Sequence, residues 1–148
     1  MKRFYCNFYL CLIVIITGLM CLYGCSKKSE LEYYNNIDNF ITGEGVVDNI
    51  IYNKGSDYIV YWLSEIDGAY QCSDFVIEGQ NCFTVLGNGI LDKVKLGDTI
   101  TFTSATGYFG NGDFMPIVAL SVGGEVILDF EEGHKNLMDL YREKGAVK

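Results

Sequence analysis

Residues that carry chemistry are scarce in this sequence. Among 148 residues there is one histidine, His134. A zinc site usually takes several His or Cys ligands at close spacing, and a Ser or Cys nucleophile takes a His base with an orienting partner. Neither constellation can be assembled. No Cys-x-x-Cys pair is present, which removes the usual basis for a thioredoxin-like redox role. Bases are also few, 11 Lys and Arg against 19 Asp and Glu, for a formal net charge of −8. Phosphate backbones are held mainly by Lys and Arg through counterion release, so nucleic acid is not expected as a partner. Nor does any apolar run reach the roughly 20 residues that a spanning helix needs. The longest, from about Phe8 to Tyr23, is bounded by Asn7 and by Ser26-Lys27-Lys28-Ser29.

What the N-terminus does have is the layout of an export signal: basic Lys2-Arg3, the apolar run, and a small residue before the presumptive cut. Its last residues, Leu22-Tyr23-Gly24-Cys25, resemble the lipobox of bacterial lipoproteins, in which the Cys is acylated and becomes the first residue of the mature chain. Leu22, Gly24 and Cys25 match that pattern and Tyr23 is the departure from it. The resemblance implies a signal peptide over 1–24, a lipid on Cys25, and an extracytoplasmic domain anchored to the cell membrane. Two buried acyl chains suffice for stable anchoring where one is marginal. An uncleaved N-terminal anchor is the alternative. Removing residues 1–24 takes away Lys2 and Arg3 and no acid, leaving 9 bases against 19 acids, a net −10.

The mature chain is long enough for one domain with a modest core and not for two. Of its cysteines, Cys25 is the lipid site, and Cys72 and Cys82 remain for the folded part. In an exported domain such a pair suggests a disulfide. Two buried free thiols are the alternative, since a tight hairpin at Gly79-Gln80 would set Cys82 opposite Ile77 rather than Cys72.

Residues 25–40 read as the lipidated Cys and a polar tether, and 41–148 as a single domain. Strands are predicted near Gly43 to Tyr52 and Asp57 to Leu63, joined by Asn53-Lys54-Gly55-Ser56, a hairpin signal. Tyr70 to Ile77 reads as a third strand after the Asp67-Gly68 turn. From Gln80 to Lys95 helical spacing takes over, with Asn81 as a cap and Cys82, Phe83 and Leu86, then Ile90, Leu91 and Val94, on one side. Leu96-Gly97-Asp98 turns into Thr99 to Thr103, where Ile100 and Phe102 alternate with threonines as in a half-buried strand. The only proline, Pro116, opens a strand over Ile117 to Val122, a position where no ladder donor is lost. Gly123-Gly124 turns into Glu125 to Leu128. A C-terminal helix follows, capped by Asp129 with Glu132 three residues on, striped with Phe130, Leu137, Leu140 and Tyr141, and stopped by Gly145.

Three strands, a short helical connection and a Gly-Asp turn into further strands give an order similar to the oligonucleotide/oligosaccharide-binding (OB) fold, a five-stranded partly open barrel. The resemblance covers about residues 42 to 128. The fold class expected is therefore mainly β: a small OB-like barrel of five to six strands with an inter-strand helix and a C-terminal helix.

The candidate binding surface is the loop around Gly107 to Asp113, where Tyr108, Phe109 and Phe114 lie close to Asn111 and Asp113. Stacking faces beside hydrogen-bonding groups suit a sugar or a protein hot spot. The loop opens no helix, which argues against phosphate cradling, and it does not match an EF-hand. Tyr58, Tyr61 and Trp62 extend this surface if their strand exposes one face. Aromatics on a strand more often belong to the core, which is their first assignment. Two functions compete. The preferred one is a binding module for an envelope protein, peptide or glycan, with no cofactor and no metal. The other is a small extracytoplasmic enzyme, or enzyme subunit, using Asp113, Glu131 and His134.

Overall fold

A computed structural model describes residues 31–107 and 114–146. Helical residues 31–35 (α1) and a 3-10 turn at Ile37–Asn39 lead into β1 (Phe40–Ile51). Then come β2 (Tyr58–Asp67), β3 (Asp74–Glu78), helices α2 (Gln80–Gly87) and α3 (Ile90–Lys93), β4 (Thr99–Ala105), β5 (Met115–Val122), β6 (Glu125–Leu128) and α4 (Phe130–Ala146).

The strands curl into a small closed barrel. β1 pairs antiparallel with β2 and with β4, β2 with β3, and β4 with β5. A short parallel pairing of β3 with β5, Phe75 opposite Met115 and Val76 opposite Pro116, shuts the ring. This is the OB-like order 1-2-3-5-4, and β6 is an appended strand on β5. Closure reduces the exposed edges that an open sheet of this size would present, with β6 as the terminal strand.

Local chemistry fixes the turns. The β1–β2 turn closes with the Ser56 amide donating to the Asn53 carbonyl at 2.8 Å, and Gly55 takes the left-handed φ of +92°. Gly123 and Gly124, at φ +58° and +85°, provide the double left-handed turn that matches strand twist in a two-residue hairpin. The Leu96-Gly97-Asp98 turn is stapled to β1: the Gly97 amide donates to the Val47 carbonyl and the Val47 amide to the Asp98 carbonyl.

Side chains at alternate positions fill the barrel. Ile59, Tyr61 and Leu63 of β2 meet Phe75 and Ile77 of β3, Ile100 and Phe102 of β4, and Ile117 and Leu120 of β5. Phe75 and Phe102 contact edge to face with centroids 4.7 Å apart. Cys82, Val85, Ile90 and Val94 from the α2–α3 segment plug one end. A second apolar layer lies outside the barrel, where Leu137 and Met138 of α4 cover Ala105 and Val118 and enclose Tyr34 and Phe40.

Several expectations change. Tyr34 is only 1% exposed, so the last part of the predicted 25–40 tether is folded into the domain, which begins no later than residue 31. Asn81 does not cap α2. Gly79 is the cap residue, and Asn81 is buried inside the first turn. Asp129 does cap α4, its Oδ1 accepting from the amides of Glu131 and Glu132 at 2.9 and 3.4 Å. Glu132 instead turns to α2, where the Thr84 hydroxyl donates to its carboxylate at 3.1 Å. The helix runs past Gly145 to Ala146.

Candidate functional site

The outward face of β2 is the part of the barrel that departs from ordinary surface chemistry. Strand alternation sends Ile59, Tyr61 and Leu63 inward and Tyr58, Val60, Trp62 and Ser64 outward. Tyr61 is fully buried, whereas Tyr58 and Trp62 are 40% and 44% exposed. The three aromatics assigned together from sequence thus divide by parity, one to the core and two to the surface. On the neighbouring strands, Asn49 and Ile51 of β1 lie opposite Trp62 and Val60, and Glu78, Val76 and Asp74 of β3 lie opposite Tyr58, Val60 and Trp62. Val60 is 5% exposed yet belongs to neither apolar core cluster.

The result is a strip of apolar side chains bordered by carboxylates. Ser64 donates to Asp48 at 2.8 Å beside the bulge in β1. At the other border the Lys144 ammonium, from the last turn of α4, lies 2.9 Å from Glu78 and 5.2 Å from the Tyr141 ring centroid. Among the described residues no Lys or Arg pairs with Asp74.

The sequence-predicted residues fall elsewhere. Cys25 and the loop residues Tyr108, Phe109, Asn111 and Asp113 lie outside the described residues. Phe114, at the end of that loop, is exposed. Cys72 and Cys82 are not joined in a disulfide with each other. They lie beyond opposite ends of β3, a strand of five residues and about 16 Å, whereas a disulfide needs Cα atoms within about 7 Å. Cys72 donates to the Asp74 carbonyl at 3.3 Å. Cys82 is in the core, where burial and then Asp57 push its thiol from the ordinary 9.0 up to about 11.

His134 does not meet a cluster of acids. Its Nε2 contacts the Tyr34 carbonyl at 2.8 Å, and its ring stacks on Phe130 and stands edge-on to Phe40. The histidine therefore fastens α1 to α4. Glu131 is exposed in the first turn of α4. Among the described residues no group of three or more His, Cys, Asp or Glu is placed to hold a metal ion.

A concavity of about 190 Å³ lies over β4 and β5 beside the start of α4. Thr42 and Thr103 join their hydroxyls across it at 2.8 Å, and Val126 and Phe130 form its apolar side. It is shallow, and the groups lining it have none of the converging charge that a catalytic centre uses.

The fold and this face define the chain as a small OB-like barrel protein with an exposed aromatic strip. Comparison with family models, with curated proteins and with solved structures gives no significant match.

Proposed function

We propose that this chain is a membrane-anchored extracytoplasmic binding module, tethered through a lipid on Cys25, whose β1–β2–β3 face holds an envelope protein, peptide or glycan. The observation that carries this reading is the exposure of Trp62 and Tyr58 on one strand above the apolar floor of Ile51, Val60 and Val76. Rigid aromatics with few rotatable bonds are the side chains that most often anchor interfaces. OB-like barrels in general use this face together with the β1–β2 and β4–β5 connections. Here those connections are Asn53 to Asp57 and residues 106–114, the second carrying Tyr108 and Phe109. Asp48, Asp74 and Glu78 on the same face oppose a phosphate backbone, which directs the reading toward protein, peptide or glycan.

α1, which packs on α4, begins six positions after Cys25 in the sequence. β1 then leads from Phe40, beside Tyr34, to Ile51 at the far end of the binding face.

The test uses the full-length chain in its native envelope. Palmitate labelling is expected on the parent and lost in Cys25→Ala. After cross-linking in the intact envelope, one partner is expected near stoichiometry with the parent and absent with Tyr58→Ala/Trp62→Ala. A partner profile unchanged by that double substitution removes the face from the reading.

A further inference from the structure

We propose that the β1–β2–β3 face takes an extended cationic segment of a partner protein, one with Lys or Arg at two positions four residues apart and an aliphatic residue midway. This rests on the binding-module reading and specifies its ligand.

The register of β2 against β3 carries the argument. Tyr58 lies opposite Glu78, Val60 opposite Val76, and Trp62 opposite Asp74. Side chains directly opposite on one face have Cβ atoms about 4.5–5.5 Å apart. Each exposed aromatic ring therefore stands beside a carboxylate, and the two aromatic–carboxylate pairs flank a Val–Val pair. Such a pair suits a Lys or Arg head group, which the ring attracts through its π face and the carboxylate binds by a charge-assisted hydrogen bond.

The spacing suits a polypeptide. Outward positions on β2 repeat every two residues, about 6.7 Å, and same-side positions in an extended ligand repeat by the same distance. A segment lying along β2 sets residues i and i+4 over the Trp62–Asp74 and Tyr58–Glu78 pairs in one direction or the other, with residue i+2 against half-buried Val76 beside the covered Val60. Charge agrees, since the chain is net −8 and Asp48 lies at the border of this face.

One end of the pattern shows this chemistry within the chain. Lys144 lies 2.9 Å from Glu78 and 5.2 Å from the centroid of the Tyr141 ring, so an ammonium is already held there between a carboxylate and an aromatic. The Trp62–Asp74 end has no such occupant among the described residues. It is accordingly the primary subsite, and Lys144 competes with the ligand at the other.

Trp62 is the only tryptophan in the chain and reports binding by its own fluorescence. The full-length chain in neutral detergent is titrated with capped peptides that differ only at two positions: Arg-Thr-Val-Thr-Arg, Ser-Thr-Val-Thr-Ser and Glu-Thr-Val-Thr-Glu. Saturable change of the Trp62 signal is expected with the Arg peptide, about tenfold weaker with Ser from two exposed cation sites together, and absent with Glu. Affinity should fall as salt rises from about 0.05 to about 0.5 M. Asp74→Asn should weaken the Arg peptide about threefold to fivefold, and Lys144→Ala should strengthen it about twofold.

Equal response to all three peptides, or none to the Arg peptide, overturns the proposal. A neutral oligosaccharide that shifts Trp62 when no peptide does overturns the cationic ligand while leaving the binding face standing. Loss of the cross-linked partner in Tyr58→Ala/Trp62→Ala tests that face separately.

Discussion

Gly133 of α4 lies directly on the carbonyl oxygen of Val118 in β5, so close that a β-carbon at position 133 would overlap that oxygen. The glycine is what lets the C-terminal helix settle onto the barrel wall. Gly133→Ala is expected to force α4 away and cost about 1–3 kcal/mol, the usual scale of overpacking. Gly87, at the end of α2, has nothing among the described residues within 4 Å of where a β-carbon would sit, and an ordinary φ. Gly87→Ala should therefore be neutral or gain about 0.4–1 kcal/mol by restricting the unfolded chain. Urea unfolding of the two variants checks the contrast; equal stability would show that α4 does not bear on Val118.

Asn81 ties the same helix to α2. Its buried amide donates to the Gly133 carbonyl at 2.8 Å and its Oδ1 accepts from Asn136 at 3.0 Å. Asn81→Leu removes both bonds and leaves two polar groups in a buried or half-buried place, with an expected loss of about 2–4 kcal/mol. Asn136→Ala breaks only one and should cost less. The order of the two midpoints in denaturant is the measurement.

These two contacts also mark what was legible in the sequence. The turns at Gly55, Gly97 and Gly123-Gly124, and the Asp129 cap, were legible because each is decided by residues within a few positions of itself. So was the helical connection after β3. The parallel β3–β5 pairing was carried only by the resemblance to a fold, since Phe75 and Met115 meet across 39 intervening positions with no local mark. The burial of Tyr34 was hidden for the same reason, because its partners Leu137, Tyr141 and His134 come from the far end of the chain. Of the candidate site, Tyr58 and Trp62 were visible as aromatics, but their separation from Tyr61 needed the barrel to say which side of β2 is the inside. Asn81 has the residue type of a helix cap, and only the position of α4 shows why it is buried instead.

His134 is expected to act on the N-terminal segment rather than on a substrate. Replacing it with Ala removes the contact to the Tyr34 carbonyl and the ring packed between Phe130 and Phe40. Amide exchange in residues 31–39 should rise while β2, β3 and β4 keep their protection, which is local rather than global opening. Hydrogen exchange with mass spectrometry reads this directly. Unchanged exchange in 31–39 would show that α1 is held without the histidine.

Alkaline pH should loosen the barrel core. Burial, and then Asp57, raise the Cys82 thiol from 9.0 to about 11; burial, and then Asp67, raise the Tyr70 hydroxyl from 10.0 to about 12. Both groups keep their protons more tightly folded than unfolded, so the unfolded chain binds fewer protons between those values. Their contribution to stability is complete below about pH 9 and is lost as pH climbs toward 12. The thermal midpoint should be flat in this respect up to pH 9 and fall beyond it, and the Cys82 thiol should resist alkylation at pH 8 until the chain unfolds. Rapid labelling of native Cys82 at pH 8 would contradict the burial.

The two sides of β2 should respond differently to truncation. Among the described residues the buried Tyr61 hydroxyl has no hydrogen-bond partner, and burial, with Cys82 as the lesser cause, pushes its ionisation far above the usual range. Leaving a polar group in that state costs about 1–3 kcal/mol, so Tyr61→Phe is expected to gain about 1 kcal/mol while keeping the ring that fills the barrel. Tyr61→Ala should lose about 3–5 kcal/mol through the cavity it leaves. Tyr58→Ala and Trp62→Ala, on the opposite side of the same strand, should each lose far less, because nearly half of each ring is already in water. Their cost should appear in ligand binding instead. If Trp62→Ala destabilised the fold as much as Tyr61→Ala, the outward aromatics would be structural, and the face they form would have no claim to be a binding site.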